Sequence, residues 1–463
     1  MAATPKITVD LLKTYDRPGP RYTSYPTAVE FSEAFGPDEY PARLAAADRA
    51  EGPLSLYAHL PFCEHRCTFC GCHVVITKDQ EIVEKYLGFL HREIDLLASH
   101  LPNRRRVSQY HWGGGTPTHL TLAEMEALHR KMTQHFTLDA DAELAIEVDP
   151  RVTSVEQVEL LRTLGFNRLS MGVQDFDPDV QAAVDRNQTE AQTRSLYDAA
   201  RERGFASINF DLIYGLPLQT LPKFRRTVDV VIAMRPDRVA LYSYAHVPWI
   251  RAQQKRIEPT DLPSPEDKIQ LFLDARERFL DAGYVEIGID HFALPGDELA
   301  ESRANRRLHR NFMGYTVKVG SDMVAVGVSG IGDVRGALAQ NEKKLSRYYE
   351  RLDAGRFPVE RGYALDREDL IRREAITRLM CNLWLDTEAI EREFGIVFAE
   401  YFAPELARLS SPDGPVAHGF VEVAPDHIEV VGLGRFFVRN VAMIFDRYLD
   451  RRITDKPIFS RTV

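Results

Sequence analysis

Between residues 54 and 245 the chain alternates short β-branched and aromatic runs with longer helical patterns, and nothing else in it restricts the fold so strongly. The runs fall at 54–60, 107–112, 143–148, 168–173, 207–213 and 238–244. Between them, a 3.6-residue apolar period predicts helices over 81–100, 122–136, 154–164, 179–203 and 221–234. Six strand-then-helix units in series require parallel strands joined by right-handed crossovers. An open or closed α/β barrel is therefore expected, and an all-β fold is excluded.

Beyond the barrel, Ser264 and Pro265 have the chemistry of a helix start, and Ile269, Phe272, Phe279 and Leu280 would share one face up to Gly283. A strand is expected at 285–289, followed by a Gly-rich stretch through Gly336. Pro358 and the charges over 355–362 suggest a domain boundary. After it, Asp366 has the chemistry of a helix cap, two or three helices follow, and a hairpin over 420–431 would turn at Pro425 and Asp426. The expected division is an N-terminal clamp over 1–50, the barrel and its extension over 51–355, and a mainly helical, winged-helix-like domain over 356–463.

Fifty-eight Lys and Arg against 68 Asp and Glu leave a net charge of −10, which argues against sequence-independent nucleic-acid binding, since phosphate contacts need a basic surface. No run approaches the ~20 apolar residues of a membrane-spanning helix. Lys6, Asp10, Lys13 and Asp16 stand where a signal peptide would be apolar, so a cytoplasmic location is expected. There are five cysteines, too few for a disulfide scaffold; four of them (Cys63, Cys67, Cys70 and Cys72) fall within ten residues. In a reducing compartment such a concentration points to a metal or redox site. Cys381, in an apolar pattern, reads as a core thiol.

The first strand runs straight into this cysteine loop. Three thiols separated by three and then two residues let one short loop wrap an iron–sulfur cubane, and three ligands leave one iron open. Structural zinc, with His65 or His73 completing the set, is the alternative, although zinc sites usually join two separated clips. Directly after the second strand comes His111-Trp112-Gly113-Gly114-Gly115-Thr116-Pro117, where glycines would admit a ligand close to the backbone and leave N–H groups free for a carboxylate. Strand after strand ends in polar residues: Tyr57 and His59, Glu147 and Asp149, Gln174 and Asp175, Asp211, then Tyr244 and His246. Active sites of β/α barrels lie at those ends. A carboxylate there is costly unless paired or bound, which favours ligand contact for Glu147 and Asp211; Asp149 reads equally as a loop start, and Arg186 equally as a surface arginine. Arg21, Arg310 and Lys318, in or near the aromatic segments Arg21-Tyr22-Thr23-Ser24-Tyr25-Pro26 and His309–Tyr315, are candidate contacts for an anionic substrate.

At these residues the chain resembles a known family. Cys63-x-x-x-Cys67-x-x-Cys70, with Phe69 before the last cysteine, is similar to the radical S-adenosylmethionine superfamily. The finer resemblance is to the oxygen-independent coproporphyrinogen III oxidases, carried by the segment from Arg21, Tyr57, the extra Cys72, and the stretches 112–117, 146–150, 170–176, 211–217, 244–246 and 309–315. It spans nearly the whole chain and implies a partial (β/α)6 TIM-like radical barrel.

The resemblance implies that Cys63, Cys67 and Cys70 hold a [4Fe-4S] cluster whose open iron chelates S-adenosylmethionine, and that Cys72 matters for activity without being a ligand. Two S-adenosylmethionine molecules are implied. Tyr57, Gly114 and Glu147, with Ile331, would line one; Phe69, Gly115, Thr116, Gln174, Arg186, Asp211 and Ala245 would line the other. The implied reaction is oxidative decarboxylation of two propionates of coproporphyrinogen III to vinyl groups, giving protoporphyrinogen IX in haem biosynthesis. A flavodoxin or ferredoxin system would donate electrons to a monomer, with a separate electron acceptor and no nucleic-acid or membrane partner. The chain departs from the family at Met313, where a glutamine is common; a thioether cannot supply an amide's hydrogen bonds. Haem-trafficking relatives share the three-cysteine loop but typically lack the fourth cysteine and the N-terminal clamp, so Cys72 and Tyr22 through Pro26 favour the oxidase.

Overall fold

The computed structural model describes residues 11, 14–318, 322–449, 459, 461 and 462. Lys6, Asp10 and Lys13, on which part of the export argument rested, lie outside the described residues. Six strands form the barrel: β1 Leu54–Leu60, β2 Arg106–Gly114, β3 Thr137–Val148, β4 Arg168–Gln174, β5 Ser207–Tyr214 and β6 Arg238–Ser243. Each pairs in parallel with the next. The sheet continues past β1 through Met323–Val326, Ile331–Val334, Ala337–Asn341 and Val359–Ala364, and past β6 through His291–Ala293 and Val285–Ile287. Among the described residues its two ends do not pair, so the barrel is open.

Alternation along the strands sorts the side chains. On β3, Leu144, Ile146 and Val148 are buried in the core beneath the surrounding helices, while Glu143, Ala145 and Glu147 face an internal cavity. On β5, Ile208, Phe210 and Leu212 pack in that core, and Asn209 and Asp211 face the cavity. The helices are fixed at their starts by local chemistry. Thr121 with Glu124, Ser154 with Gln157, and Thr189 with Gln192 each form a reciprocal capping box.

Three expectations change. The stretch 179–203 is two helices, Pro178–Ala183 and Glu190–Glu202, because the chain turns at Asp185 with φ 57° and carries Arg186 inward on the connecting loop. The Gly-rich stretch contains a hairpin, His309–Asn311 with Gly314–Thr316, and then three strands of the main sheet. The expected boundary after residue 355 precedes one more strand of that sheet, since Val359–Ala364 pairs with Ala337–Asn341.

The N-terminal segment divides its packing. Phe35, Tyr40, Leu44 and Ala47 enter the barrel core, whereas Tyr15, Tyr22 and Tyr25 enter the core of the C-terminal domain. The Arg21 segment forms no strand; the Tyr22 hydroxyl donates to Asp446 at 2.9 Å, and the Tyr25 hydroxyl accepts from the Arg447 N–H at 3.2 Å. In the C-terminal domain, helices flank a three-stranded sheet of Trp384–Asp386, His427–Val430 and Val421–Val423. Cys381 is fully buried against Ile287, Ala293 and Tyr315, so it is a core thiol. Among the described residues no helix is long and apolar enough to cross a membrane.

Candidate active site

The loop that begins at the end of β1 is held on both sides. Phe62–Cys63 pairs in parallel with Val75–Ile76, closing the loop on itself. Behind it, the Gly115 N–H donates to Leu60 O at 2.8 Å and the Thr116 N–H to Phe62 O at 2.8 Å. A Cβ on Gly115 would stand 2.6 Å from the Pro61 and Phe62 backbone, and one on Gly114, at φ 115°, would strike the His59 ring. The glycine triplet thus serves close packing of the cysteine loop and of His59. Its N–H groups are not free, contrary to the expectation, because Gly114 donates to Glu147 Oε2 at 3.0 Å.

All five cysteines are free thiols. Cys67 is buried, Cys63 and Cys70 are half-buried, and Cys72 is exposed. Cys63 Sγ lies 3.4 Å from Thr116 Oγ1, and burial pushes this thiol up to about 11. A hydrogen bond from Cys72 favours the Cys70 thiolate, with Arg186 and Arg251 adding in the same direction. Two guanidiniums flank Cys67: Arg151 at 3.6 Å and Arg186 at 3.7 Å. Among the described residues no three His, Cys, Asp or Glu side chains converge tightly enough for a single ion. A zinc ion about 2.3 Å from each sulfur would need such convergence, whereas a cubane spreads its ligands over several irons. Three half-buried to buried thiols on one loop, flanked by cations, fit an anionic iron–sulfur cluster better than zinc.

Arg186 and Asp149 are a buried ion pair at 3.0 Å. Arg151 also pairs with Asp149 at 2.7 Å, and Arg186 Nη2 donates to Gly172 O at 2.6 Å. Burial pushes Asp149 up, but Arg186 and Arg151 outweigh it and hold the carboxyl below its usual range. Asp149 does begin a loop, its side chain accepting from the Arg151 N–H at 3.0 Å, and it holds the ion pair as well; Arg186 is buried and is not a surface arginine. Arg186 Nε is buried without a hydrogen-bond partner.

Glu147 is the hub of the chamber. Its side chain keeps 44% of its surface accessible, yet desolvation is the strongest influence on it, so it faces an enclosed space. Burial pushes the carboxyl up; His111 at 3.5 Å and the Gly114 N–H outweigh this, and Glu147 stays ionised. Its charge acts on Tyr57, Cys72 and Asp211. The Tyr57 hydroxyl lies 3.1 Å from His59 Nδ1, and the ring stacks on His111. Burial and then Glu147 raise Asp211 to about 6, against hydrogen bonds from Asn209 at 2.8 Å and Ser170 at 3.2 Å. Met313 lines the same chamber as Glu147 and Asp211, at the turn of the hairpin.

The remaining expected residues surround this core. Gln174 ends β4 in the left-handed region at φ 67°, with its amide beside Gly172. Phe69 packs against Val180, Val184, Leu216 and Tyr244. Ala245 O and Phe69 O both accept from Gln254, and Cys70 O accepts from Gln253 at 2.6 Å. Ile331 opens a strand beyond the loop whose Ser329 hydroxyl reaches His59 at 3.4 Å. Arg151, Gln253 and Gln254 were missed by sequence reasoning, since only folding brings them to the loop. Of the expected anion contacts, Arg21 pairs with Asp290 at 3.6 Å, Arg310 donates to Arg21 O, and Lys318 pairs with Asp141. Lys318 does not line the chamber.

Comparison with known proteins agrees with this geometry. The Radical SAM superfamily pattern matches residues 57–231, and the HemN C-terminal domain pattern matches 365–437. The chain is 45% identical over 454 residues to the oxygen-independent coproporphyrinogen III oxidase of Escherichia coli (strain K12), covering 98% of each chain. It is 44% identical over 459 residues to the protein of that name from Pseudomonas aeruginosa, again with 98% of each covered. The solved structure of the coproporphyrinogen III oxidase (HemN) from Escherichia coli, described as a radical SAM enzyme, superposes with a TM-score of 0.91 at 44% identity, covering 96% of this chain and 100% of that one. A three-cysteine loop at the mouth of an open β/α barrel and near-complete likeness in sequence and structure give one answer: the chain belongs to the oxygen-independent coproporphyrinogen III oxidase family of radical SAM proteins.

Proposed function

We propose that the chain converts two propionate side chains of coproporphyrinogen III to vinyl groups without oxygen, yielding protoporphyrinogen IX. The observation that carries this reading is the link between the three-cysteine loop and a chamber walled by Glu147 and Asp211: Gly114 holds Glu147, Gly115 packs under the loop, and Cys72 lies in the field of Glu147. Membership of the radical SAM superfamily implies a [4Fe-4S] cluster and S-adenosylmethionine. Together these supply, when bound, an adenosyl radical able to take a hydrogen from the β-carbon of a propionate.

The chain's own residues prepare the site. Cys63, Cys67 and Cys70 would hold the cluster, and Arg151 and Arg186 beside Cys67 offset its negative charge. Ionised Glu147 suits the ammonium of one S-adenosylmethionine, with Tyr57, Gly114 and Ile331 around it. Asp211 suits the hydroxyls of a second, and the unpartnered Arg186 Nε suits its carboxylate. Phe69, Gly115, Thr116, Gln174 and Ala245 would complete that second site. Cys72, exposed and in the field of Glu147, is kept as a thiol beside the chamber. The tyrosines that tie the N-terminal segment to the C-terminal domain help enclose the site, so that a carbon radical meets its substrate and not water. A monomer working in the cytoplasm, fed with electrons by a flavodoxin or ferredoxin and passing them to a separate acceptor, completes the proposal.

The test is anaerobic reconstitution with iron and sulfide, followed by incubation with coproporphyrinogen III, S-adenosylmethionine and a reductant. Protoporphyrinogen with two methionines released per substrate is the expected result. Haem binding without turnover would instead assign the chain to trafficking.

A further inference from the structure

The outer rim of the cysteine loop carries a combination of groups that the chamber does not use. Exposed apolar side chains flank the loop on both sides. Ile76, 40% exposed, pairs in register with Cys63. Trp249 and Ile250, 48% and 53% exposed, precede the segment whose Gln253 and Gln254 donate to Cys70 O and Phe69 O. Cations accompany them, gathered about His73. Arg66 lies within the loop itself and donates to Val74 O at 3.1 Å. Lys343, Arg251 and Arg66 all bear on His73, and Arg251 bears on Cys70. Lys255 projects, exposed, from the turn that holds Gln253 and Gln254.

Charge pairing leaves this rim positive. Glu64 is taken by Lys78 at 3.5 Å and Asp185 by Arg256 at 3.0 Å; Glu360 lies near Lys343. Among the described residues no carboxylate lies within ion-pair distance of Arg66, Arg251 or Lys255, and Lys343 is opposed only by the more distant Glu360. A local excess of positive charge on a chain of net charge −10 runs against the average surface. None of these residues lines the chamber with Glu147 and Asp211.

We propose that this rim, Ile76, Trp249 and Ile250 together with Arg66, Arg251, Lys255 and Lys343, is the docking surface for an acidic protein that carries single electrons. The inference rests on the functional reading above, in which each cofactor cleavage consumes one electron. The reduced carrier, a flavin or iron–sulfur protein, loses that electron and the cluster gains it; no proton or group moves. Opposite charge steers the encounter, and the few exposed apolar side chains permit contact without a permanent complex. The loop backbone next to Cys63 and Cys70 then separates donor from cluster.

The reconstituted holoenzyme is titrated with an acidic flavodoxin at low and high salt, and cluster reduction is followed by stopped-flow absorbance with flavodoxin hydroquinone and, separately, with dithionite. The double substitution Lys255→Glu with Lys343→Glu is expected to weaken flavodoxin binding at least tenfold at low salt and to slow its reduction of the cluster in proportion. Reduction by dithionite is expected to stay unchanged. Trp249→Ala is expected to weaken binding at high salt as well, where charge is screened. Unchanged flavodoxin affinity in these variants would overturn the proposal, as would a rise in the substrate KM alone, which would make the rim a substrate entrance. Failure of the unaltered, dithionite-reduced protein to make vinyl product would sink the functional reading instead, while the binding titration would still decide the docking surface.

Discussion

Arg186 and Asp149 form an ion pair at 3.0 Å with about a tenth or less of either side chain exposed, and the same guanidinium lies 3.7 Å from Cys67. The pair couples the end of β3 to the cysteine loop. Asp149→Asn would leave the buried Arg186 and the half-buried Arg151 with uncompensated charge. Loss of one partner of a buried pair costs roughly 3 kcal/mol. The variant is expected to melt several degrees lower in thermal unfolding and to retain less iron after reconstitution. Unaltered melting and iron content would show that the pair is dispensable.

Glycine positions separate packing from flexibility. Gly115→Ala would push a methyl into the Pro61 and Phe62 backbone, so loss of both stability and iron is expected. Gly88, on the exposed face of the helix Gln80–Ser99, has open space at its Cβ position. Gly88→Ala is expected to stabilise by about 0.5–1 kcal/mol. Denaturant unfolding of the two variants provides the comparison, and equal effects would contradict the account.

The six barrel strands and most helix positions were legible because buried parallel strands and amphipathic helices carry their own periods. The break at Asp185 was not, since no Gly or Pro marks it. It is sustained by Arg186 reaching Asp149, 37 residues away, a contact that local pattern does not encode. The strands between 309 and 341 are only three to five residues long, too short for a period to register. Glu147 and Asp211 were legible as strand-end carboxylates. That Glu147 occupies the Gly114 N–H was not, because that contact arises from strand pairing.

Glu93 gives the fold a pH dependence. Its carboxylate accepts from the Gly327 N–H at 2.7 Å, Asn341 at 2.7 Å and the Tyr348 hydroxyl at 2.5 Å, yet burial raises it to about 7. The folded state therefore holds a proton that the unfolded state releases nearer 4.5. The Glu93 contribution to stability is greatest below that lower value and falls as pH rises toward 7. Glu93→Gln is expected to flatten this part of the stability profile, measured by urea unfolding from pH 5 to about 8. An identical slope in both proteins would place the dependence elsewhere.

Lys318 is expected to be dispensable. Its partner Asp141 is 81% exposed, and surface pairs of this kind contribute roughly 0–1 kcal/mol. Lys318→Ala should leave the substrate KM unchanged; a large rise would return Lys318 to the substrate site.

The central claim is that three thiolates hold a cluster and leave one iron free for a sulfonium ligand. Electron paramagnetic resonance of the reduced, reconstituted protein, recorded with and without S-adenosylmethionine, tests it most directly. The cluster spectrum is expected to shift on addition of S-adenosylmethionine in the unaltered protein and in Cys72→Ser, and to be lost in Cys67→Ser. A cluster spectrum indifferent to S-adenosylmethionine, or equal loss of the cluster in both variants, would contradict the account.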